Sequence, residues 1–292
     1  MKRALVTGAD GFIGRHIVCQ LDKCDWSVTS VDINNNGIDA RDFFRRESTK
    51  FNLVAHCAAH VGGRVDIEGR PTYIGAMNLM LDGAMFEWTL RTRPDHIIYW
   101  SSSAVYPVSR QSKDDAGLLR EIDVDLHNPE LPDATYGWVK LTGERLAAEA
   151  QAEGIRTHVL RTFSGYGPGQ SLDYPFPSFI DRARRRESPF TVWGDGEQVR
   201  DFIHVDDVIS AALAVVEQDH PGPLNLCTGI GTSFNQLADL VCKSVGYGPQ
   251  IHHRLDSPVG VRYRVGDPTE MLKVYEPKIG LEQGVRAALE VE

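Results

Sequence analysis

The stretch KRALVTGADGFIG, Lys2–Gly14, constrains this chain more than any other. Ala4-Leu5-Val6 is a short apolar run that reads as a buried strand, and Ile13, Ile17, Val18 and Leu21 then recur at helical spacing. Between them Gly8, Gly11 and Gly14 form G-x-x-G-x-x-G. The first glycines permit a tight turn and close approach of backbone to a pyrophosphate. The last lets the helix pack tightly on the strand. The helix N-terminus then offers unpaired N–H groups to an anion. A glycine triplet alone is a weak signal, because many turns carry glycines. The strand before it and the helix after it make it specific.

A second strand, WSVTSVDI, ends at Asp32. A carboxylate there accepts hydrogen bonds from adenine ribose hydroxyls and repels a 2′-phosphate, which favours NAD over NADP. Asp32 could also simply open a turn. Asp39-Ala40 follow after a short crossover, placed either to reach the adenine or to close the NNNG turn. FNLVAHCAA and DHIIYWSSSAVY read as further buried strands, flanking the helical YIGAMNLMLDGAMFEWTL, and GIRTHVLRTFSGYGPG adds another. This alternation predicts an α/β fold of Rossmann type, a doubly wound parallel sheet, over residues 1–165. After that, Gly/Pro-rich loops, short strands and amphipathic helices predict a smaller C-terminal α/β substrate-binding domain over 166–292. Residues 203–230 would return to the first sheet.

The formal net charge is -9 and the pI about 5.6, which argues against a nucleic-acid or membrane-surface partner. No signal peptide or apolar span is visible, so a cytoplasmic location is expected. The five cysteines are scattered without metal-ligand spacing, and the His56/His60 and His252-His253 pairs lack matching partners, so no metal is assigned.

Tyr136 and Lys140 in ATYGWVKLTGE lie one helical turn apart and share a face. The pair could be an ordinary amphipathic surface pair. Beside a nicotinamide it becomes a proton-transfer dyad: an ammonium and a cationic ring favour the phenolate, so Tyr136 is expected to have a lowered pKa and to take a proton from a hydroxyl.

With these residues in view, the chain resembles the extended short-chain dehydrogenase/reductases, specifically the nucleotide-sugar epimerase/dehydratase family. The likeness runs through TGADGFIG, HCAA, SSSAVYP, YGWVK, RTFSGYGPG and WGDGEQVRDFIHVDDV, in family order. It implies catalysis by Ser102, Tyr136 and Lys140, with Ser103 as the alternative register for the serine and a substrate-lining position. It implies NAD contacts from Gly8, Gly11, Phe12, Ile13, Gly14, Asp32, Asp39, Ala40, Ala58, Ala59 and Asn78, besides Tyr136 and Lys140. Asn78 could equally be a satisfied helix amide. In the nucleotide-sugar site the resemblance implies Arg200 on the pyrophosphate, with Ser164 where relatives carry Asn. Either Arg262 or Arg264 would be a further phosphate ligand, with Arg264 the expected one. Phe179 lines the base or belongs to the core. The family's dimers pair the helices near 76–90 and 136–152, which implies a homodimer; Leu141, Leu146 and Ala147 suit that interface or plain core packing.

Family 4,6-dehydratases carry an Asp-Glu pair after the catalytic serine, whereas this chain has Ser103-Ala104, like 4-epimerases. AAHVGG and the Pro of VYP are similar to GDP-fucose synthases and GDP-mannose 3,5-epimerases. Those enzymes use a cysteine at the position of Ala104, leaving His60 as the one nearby candidate for carbon-acid chemistry. The expected activity is therefore NAD-dependent C4 inversion of a nucleotide-diphosphate hexose through a 4-keto intermediate. The alternatives are an NAD(P)H-dependent reductase of a 4-keto sugar nucleotide, which would use the same residues, and a non-catalytic NAD-binding scaffold or sensor.

Overall fold

The computed structural model describes residues 1–114 and 116–290. Its first part alternates as the apolar pattern requires: β1 (Arg3–Thr7), α1 (Phe12–Lys23), β2 (Ser27–Val31), α2 (Ala40–Arg46), β3 (Leu53–His56), α3 (Arg64–Gly69), α4 (Pro71–Thr92), β4 (His96–Ser102), α5 (Ala134–Ala152) and β5 (Thr157–Thr162). The chain continues through β6 (Ser164–Tyr166), α6 (Pro175–Arg184), β7 (Phe190–Trp193), β8 (Val199–His204), α7 (Val205–Glu217), β9 (Leu224–Leu226), β10 (Gly231–Ser233), α8 (Phe234–Ser244), β11 (Ile251–Arg254), β12 (Tyr263–Arg264) and α9 (Leu281–Glu290).

Six strands form one parallel sheet in the order β2-β1-β3-β4-β5-β9. Its central strands are apolar on both faces, as a sheet sandwiched between helices must be. One face packs Ile17 and Leu21 of α1 with Val208, Ala211, Ala212 and Val215 of α7. The other packs Phe44 of α2, Met85 and Trp88 of α4 and Ala147 of α5. The strand order steps outward from β1 in both directions, and at that reversal the carboxyl ends of the strands open a crevice.

The later elements build a separate apolar cluster from Phe176, Phe179, Phe190, Phe202, Phe234 and Leu237. The segment PFTVWGDGEQVRDFIHV yields two strands that do not pair with each other. β7 pairs with β11, whereas β8 pairs with β6, β10 and β12. The partner of each strand lies far away in sequence, out of reach of any local signal. PLNLCTG does return to the main sheet, as β9 on β5.

Candidate active site

Ser102 ends β4, Tyr136 and Lys140 lie in the first two turns of α5, and the glycine loop joins β1 to α1. All of them line one cleft of about 1220 Å³ that also reaches Arg200 and Arg264.

The glycine loop fits a pyrophosphate. Gly8 is left-handed at φ +65, and a Cβ there would sit 2.6 Å from Ala58 N. At Gly14 a Cβ would drive into Gly8 O and lie 2.8 Å from Ala9 Cα, all backbone that cannot move aside. Helix α1 is capped by Gly11 with no side-chain acceptor on its first N–H groups, which leaves them for an anion. Asp32 is buried immediately after β2. Its carboxylate accepts from Asp10 N at 2.9 Å and Asn34 N at 2.8 Å, which fixes its position and leaves lone pairs toward the cleft. Phe12, Ile13, Ala40, Ala58 and Ala59 line the same wall. Asp39 caps α2 by accepting from Arg41 N at 2.8 Å, and it also grips the Arg41 guanidinium, which holds its carboxyl below the usual range.

Asn78 sits behind the wall, not on it. Its Oδ1 accepts from His60 N at 2.9 Å, and its Nδ2 donates to His60 O and Ile74 O, each at 2.8 Å. The amide pins the loop that carries Ala58, Ala59 and His60, while His60 leans edge-on against Tyr73. Leu141 and Ala147 are buried in the core, so of the three α5 residues weighed for a dimer interface only Leu146 is exposed.

The dyad's electrostatics differ from the sequence expectation. Burial in the cleft wall, and after it the Asp82 carboxylate, push the Tyr136 phenol above its ordinary pKa, not below. Lys140 Nζ lies 6.0 Å from the Tyr136 ring centre but 5.0 Å from that of Tyr99. Asp82 is buried on α4, accepts from Tyr99 Oη at 2.6 Å and lies 3.4 Å from His56 Nε2. Burial opposes its ionisation, but Lys140 and His56 more than offset it and hold the carboxyl low. The charge of Lys140 is thus shared with a buried acid that the sequence showed only as one Asp in an apolar helix.

Ser102 Oγ accepts from Ala104 N at 3.1 Å, and Ser103 is buried beside it. Under them runs a buried network. Ser101 Oγ donates to Glu144 Oε1 at 2.5 Å, and Arg161 binds the same carboxylate with Nε at 2.9 Å and Nη2 at 2.7 Å. Arg161 Nη1 also donates to Tyr106 Oη at 3.2 Å and Glu121 O at 2.9 Å. This ties the ends of β4 and β5 to the helix that carries the dyad.

At the far side three arginines converge. Arg264 donates to Gln111 Oε1 at 2.5 Å and to Asp133 Oδ2 at 2.7 Å. Arg64 binds both oxygens of Asp133, at 2.8 and 2.9 Å. Among the described residues Arg200 has only backbone acceptors, Val199 O at 2.8 Å and Val259 O at 3.1 Å, and burial followed by repulsion from Arg264 lowers its pKa to about 9. Arg64 also donates to the more exposed Glu68, so three guanidinium groups face two carboxylates and leave positive charge for a bidentate anion. Arg262 turns away to Asp195, at 2.6 and 3.0 Å, and takes no part in the cleft. Ser164, Phe179 and Trp193 line the cleft, and Phe179 also packs in the C-terminal core against Phe190 and Phe234. Arg64 and Asp133 complete the site without a sequence cue, and Tyr174 lines it beside them; burial, then proximity to Tyr136, raises the Tyr174 phenol.

The sequence profile of the NAD dependent epimerase/dehydratase family matches residues 4–227. The chain belongs to this family. NAD is accordingly its cofactor. Over 307 residues the chain is 31% identical to a putative UDP-glucose 4-epimerase of Methanocaldococcus jannaschii, spanning 97% of this chain and 95% of that protein. It is 28% identical over 307 residues to GDP-mannose 3,5-epimerase 1 of Oryza sativa, spanning 97% and 80%. The UDP-glucose 4-epimerase of Thermotoga maritima, solved with UDP-glucose, superposes with a TM-score of 0.83 at 26% identity, covering 99% of this chain and 97% of that one. The chain is thus an enzyme of the NAD-dependent epimerase/dehydratase family. Among the described residues no helix is long and apolar enough to cross a membrane.

Away from the cleft, His96 Nδ1 and His158 Nε2 face each other at 3.0 Å, with Asp219 within 4.0 Å of both. The ring centres are 5.3 Å apart at an interplanar angle of 16°. Those values place the rings edge to edge and nearly coplanar, so the two nitrogens share one proton.

Proposed function

We propose that the enzyme inverts C4 of a nucleotide-diphosphate hexose through a transient 4-keto sugar. One observation carries the reading. A single cleft holds the NAD cradle, Ser102 with Tyr136 and Lys140, and the arginine cluster, while the residues after Ser102 are the small, neutral Ser103 and Ala104. Nothing in that place could deliver the acid and base that elimination of water requires.

The bound NAD supplies a reversible hydride acceptor for C4. Arg200, Arg264 and Arg64 hold the diphosphate and leave the sugar facing Ser102 and Tyr136. Ser102 Oγ, at the end of β4, polarises the C4 oxygen, and Tyr136 accepts its proton. Burial keeps Tyr136 protonated in the free protein. It becomes a base only where further positive charge joins that of Lys140, which confines its basicity to the complex with oxidised cofactor. Re-protonation by Tyr136 after the sugar turns over completes the inversion. Ala104 and Gly169 are small residues in the cleft wall that leave room for that turn.

The half-exposed Leu79, Met80, Trp138 and Leu146 on α4 and α5 support a homodimer built on those helices. A two-domain division near residue 165 and a cytoplasmic location complete the reading.

Proton NMR of the purified protein with UDP-, dTDP- and GDP-sugars in heavy water, without added cofactor, tests it. The expected result is a C4-inverted product free of deuterium, with turnover falling by at least ~100-fold in Tyr136→Phe. Full turnover in that variant, or product formed only with added NADH or NADPH, refutes the reading.

A further inference from the structure

Asp133 is bound through its side chain to one function and through its backbone to another. Its carboxylate is gripped by Arg64 and Arg264, which come from distant parts of the chain. Its N–H donates to Ala104 O at 2.9 Å, and its carbonyl accepts from Gly137 N at 3.0 Å, the first turn of α5. Ala104 N in turn donates to Ser102 Oγ, and Gly137 follows Tyr136 directly. A Cβ on Gly137 would collide with Ala104 O, so the two segments touch with no slack. The next residue, Ala134, is left-handed at φ +58, a conformation that costs free energy without glycine and persists only where the surroundings impose it.

We propose that Asp133 is a positioning residue that couples occupation of the arginine cluster to the register of Ser102 and Tyr136. The inference rests on the reading of that cluster as a diphosphate site. A diphosphate arriving beside Arg200 competes with Asp133 for the forks of Arg64 and Arg264. Whatever share it takes re-aims the Asp133 side chain. The same residue's backbone carries the change to the serine turn and to the tyrosine helix, within one peptide unit on each side. Before the anion arrives, Asp133 is the buried counter-ion that keeps two arginines in place.

The test uses the NAD-bound protein and Asp133→Asn, an isostere without the charge, with UDP, dTDP and GDP as probes. Three quantities are read: the melting temperature, the dissociation constant, and amide hydrogen exchange over 101–107 and 133–140. In the wild type, the nucleotide that binds slows exchange in both segments. In Asp133→Asn, Arg264 loses its counter-ion and Arg64 keeps only the more exposed Glu68. The free protein melts lower, the nucleotide raises its melting temperature by more than in wild type, and binding stays within about threefold or tightens. The exchange response of both segments falls to less than about a third of the wild-type response.

A variant that binds and slows exchange like wild type overturns the proposal. So does one that loses binding and exchange response in parallel, which would make Asp133 plain scaffolding. A wild type that binds none of the three nucleotides overturns the diphosphate reading itself, and the coupling with it. Arg64→Lys, which keeps the charge and loses the fork, is the second variant should Asp133→Asn not fold. The same split between retained binding and lost exchange response is expected, and a wild-type response overturns the proposal.

Discussion

Replacing Glu144 by Gln should destabilise the enzyme more than any other single isosteric change near the cleft. Arg161 is fully buried, and both arms of its fork end on the Glu144 carboxylate, at 2.9 and 2.7 Å. The same carboxylate accepts from Ser101 Oγ at 2.5 Å. A carboxamide offers one acceptor oxygen in place of two and points an N–H₂ group at a donor. The Arg161 charge, which burial disfavours and Glu144 sustains, is then left without a counter-ion. Breaking a buried pair from one side costs about 3–5 kcal/mol. At about 2–4 °C per kcal/mol for a chain of this class, the melting temperature should fall by ~6–20 °C. Differential scanning calorimetry at pH 7.5 reads it. The double change Glu144→Leu with Arg161→Met should recover at least half of the loss, because it removes the unpaired charge together with its partner. A fall of less than about 2 °C in Glu144→Gln, or a double variant no better than the sum of the singles, would falsify the view that this network is paired across a dry interior.

Three further outcomes follow from geometry already given. Gly14→Ala should abolish NAD retention on purification, because its Cβ would strike the backbone of Gly8 and Ala9; a variant that still carries stoichiometric NAD by absorbance refutes the close approach. Arg264→Met should weaken nucleoside-diphosphate binding by about 10- to 100-fold, whereas Arg262→Met, whose partner is Asp195, should leave it within about threefold; equal effects in titration calorimetry would show the assignment to be wrong. His158 is held below the ordinary imidazole pKa by burial, with His96 adding to it. A depressed folded-state pKa gives stability that is complete above about pH 6.5 and is lost as pH falls below it, since the unfolded chain takes up the proton first. The melting temperature should drop between pH 7 and pH 5, and His96→Asn should flatten that slope; an unchanged slope argues against a shared proton.

The parts of the fold and site that were legible in the sequence are those whose signals are local. The glycine loop, the Asp32 strand end, the Tyr136–Lys140 turn and the strand–helix alternation each lie within one or two adjacent elements, so spacing alone exposes them. Arg64 and Asp133 were not legible. They are 69 residues apart in sequence, and Asp133 and Arg264 are 131 apart. Neither Arg64 nor Asp133 belongs to a motif of its own in the sequence. The choice of Arg264 over Arg262 depended on which guanidinium found Asp195. The rise in the Tyr136 pKa could not be foreseen either, because it comes from burial and from Asp82 on a different helix. Asn78 shows the intermediate case: its position near the cofactor wall was legible, but its role was not, because both of its hydrogen-bonding ends are taken by the backbone of His60 and Ile74.

Strand β8, which carries Arg200, is paired by segments drawn from residues 164–166, 231–233 and 263–264. The glycine loop, Asp32 and Ser102 all lie within the first 102 residues. A chain leaving the ribosome therefore exposes the glycine loop, Asp32 and Ser102 long before Arg264 has been synthesised. A polypeptide cut short after β9 would have the complete main sheet and no Arg264. Synthesis thus has its own clock, in which the glycine loop comes first and the strand that carries Arg264 comes near the end.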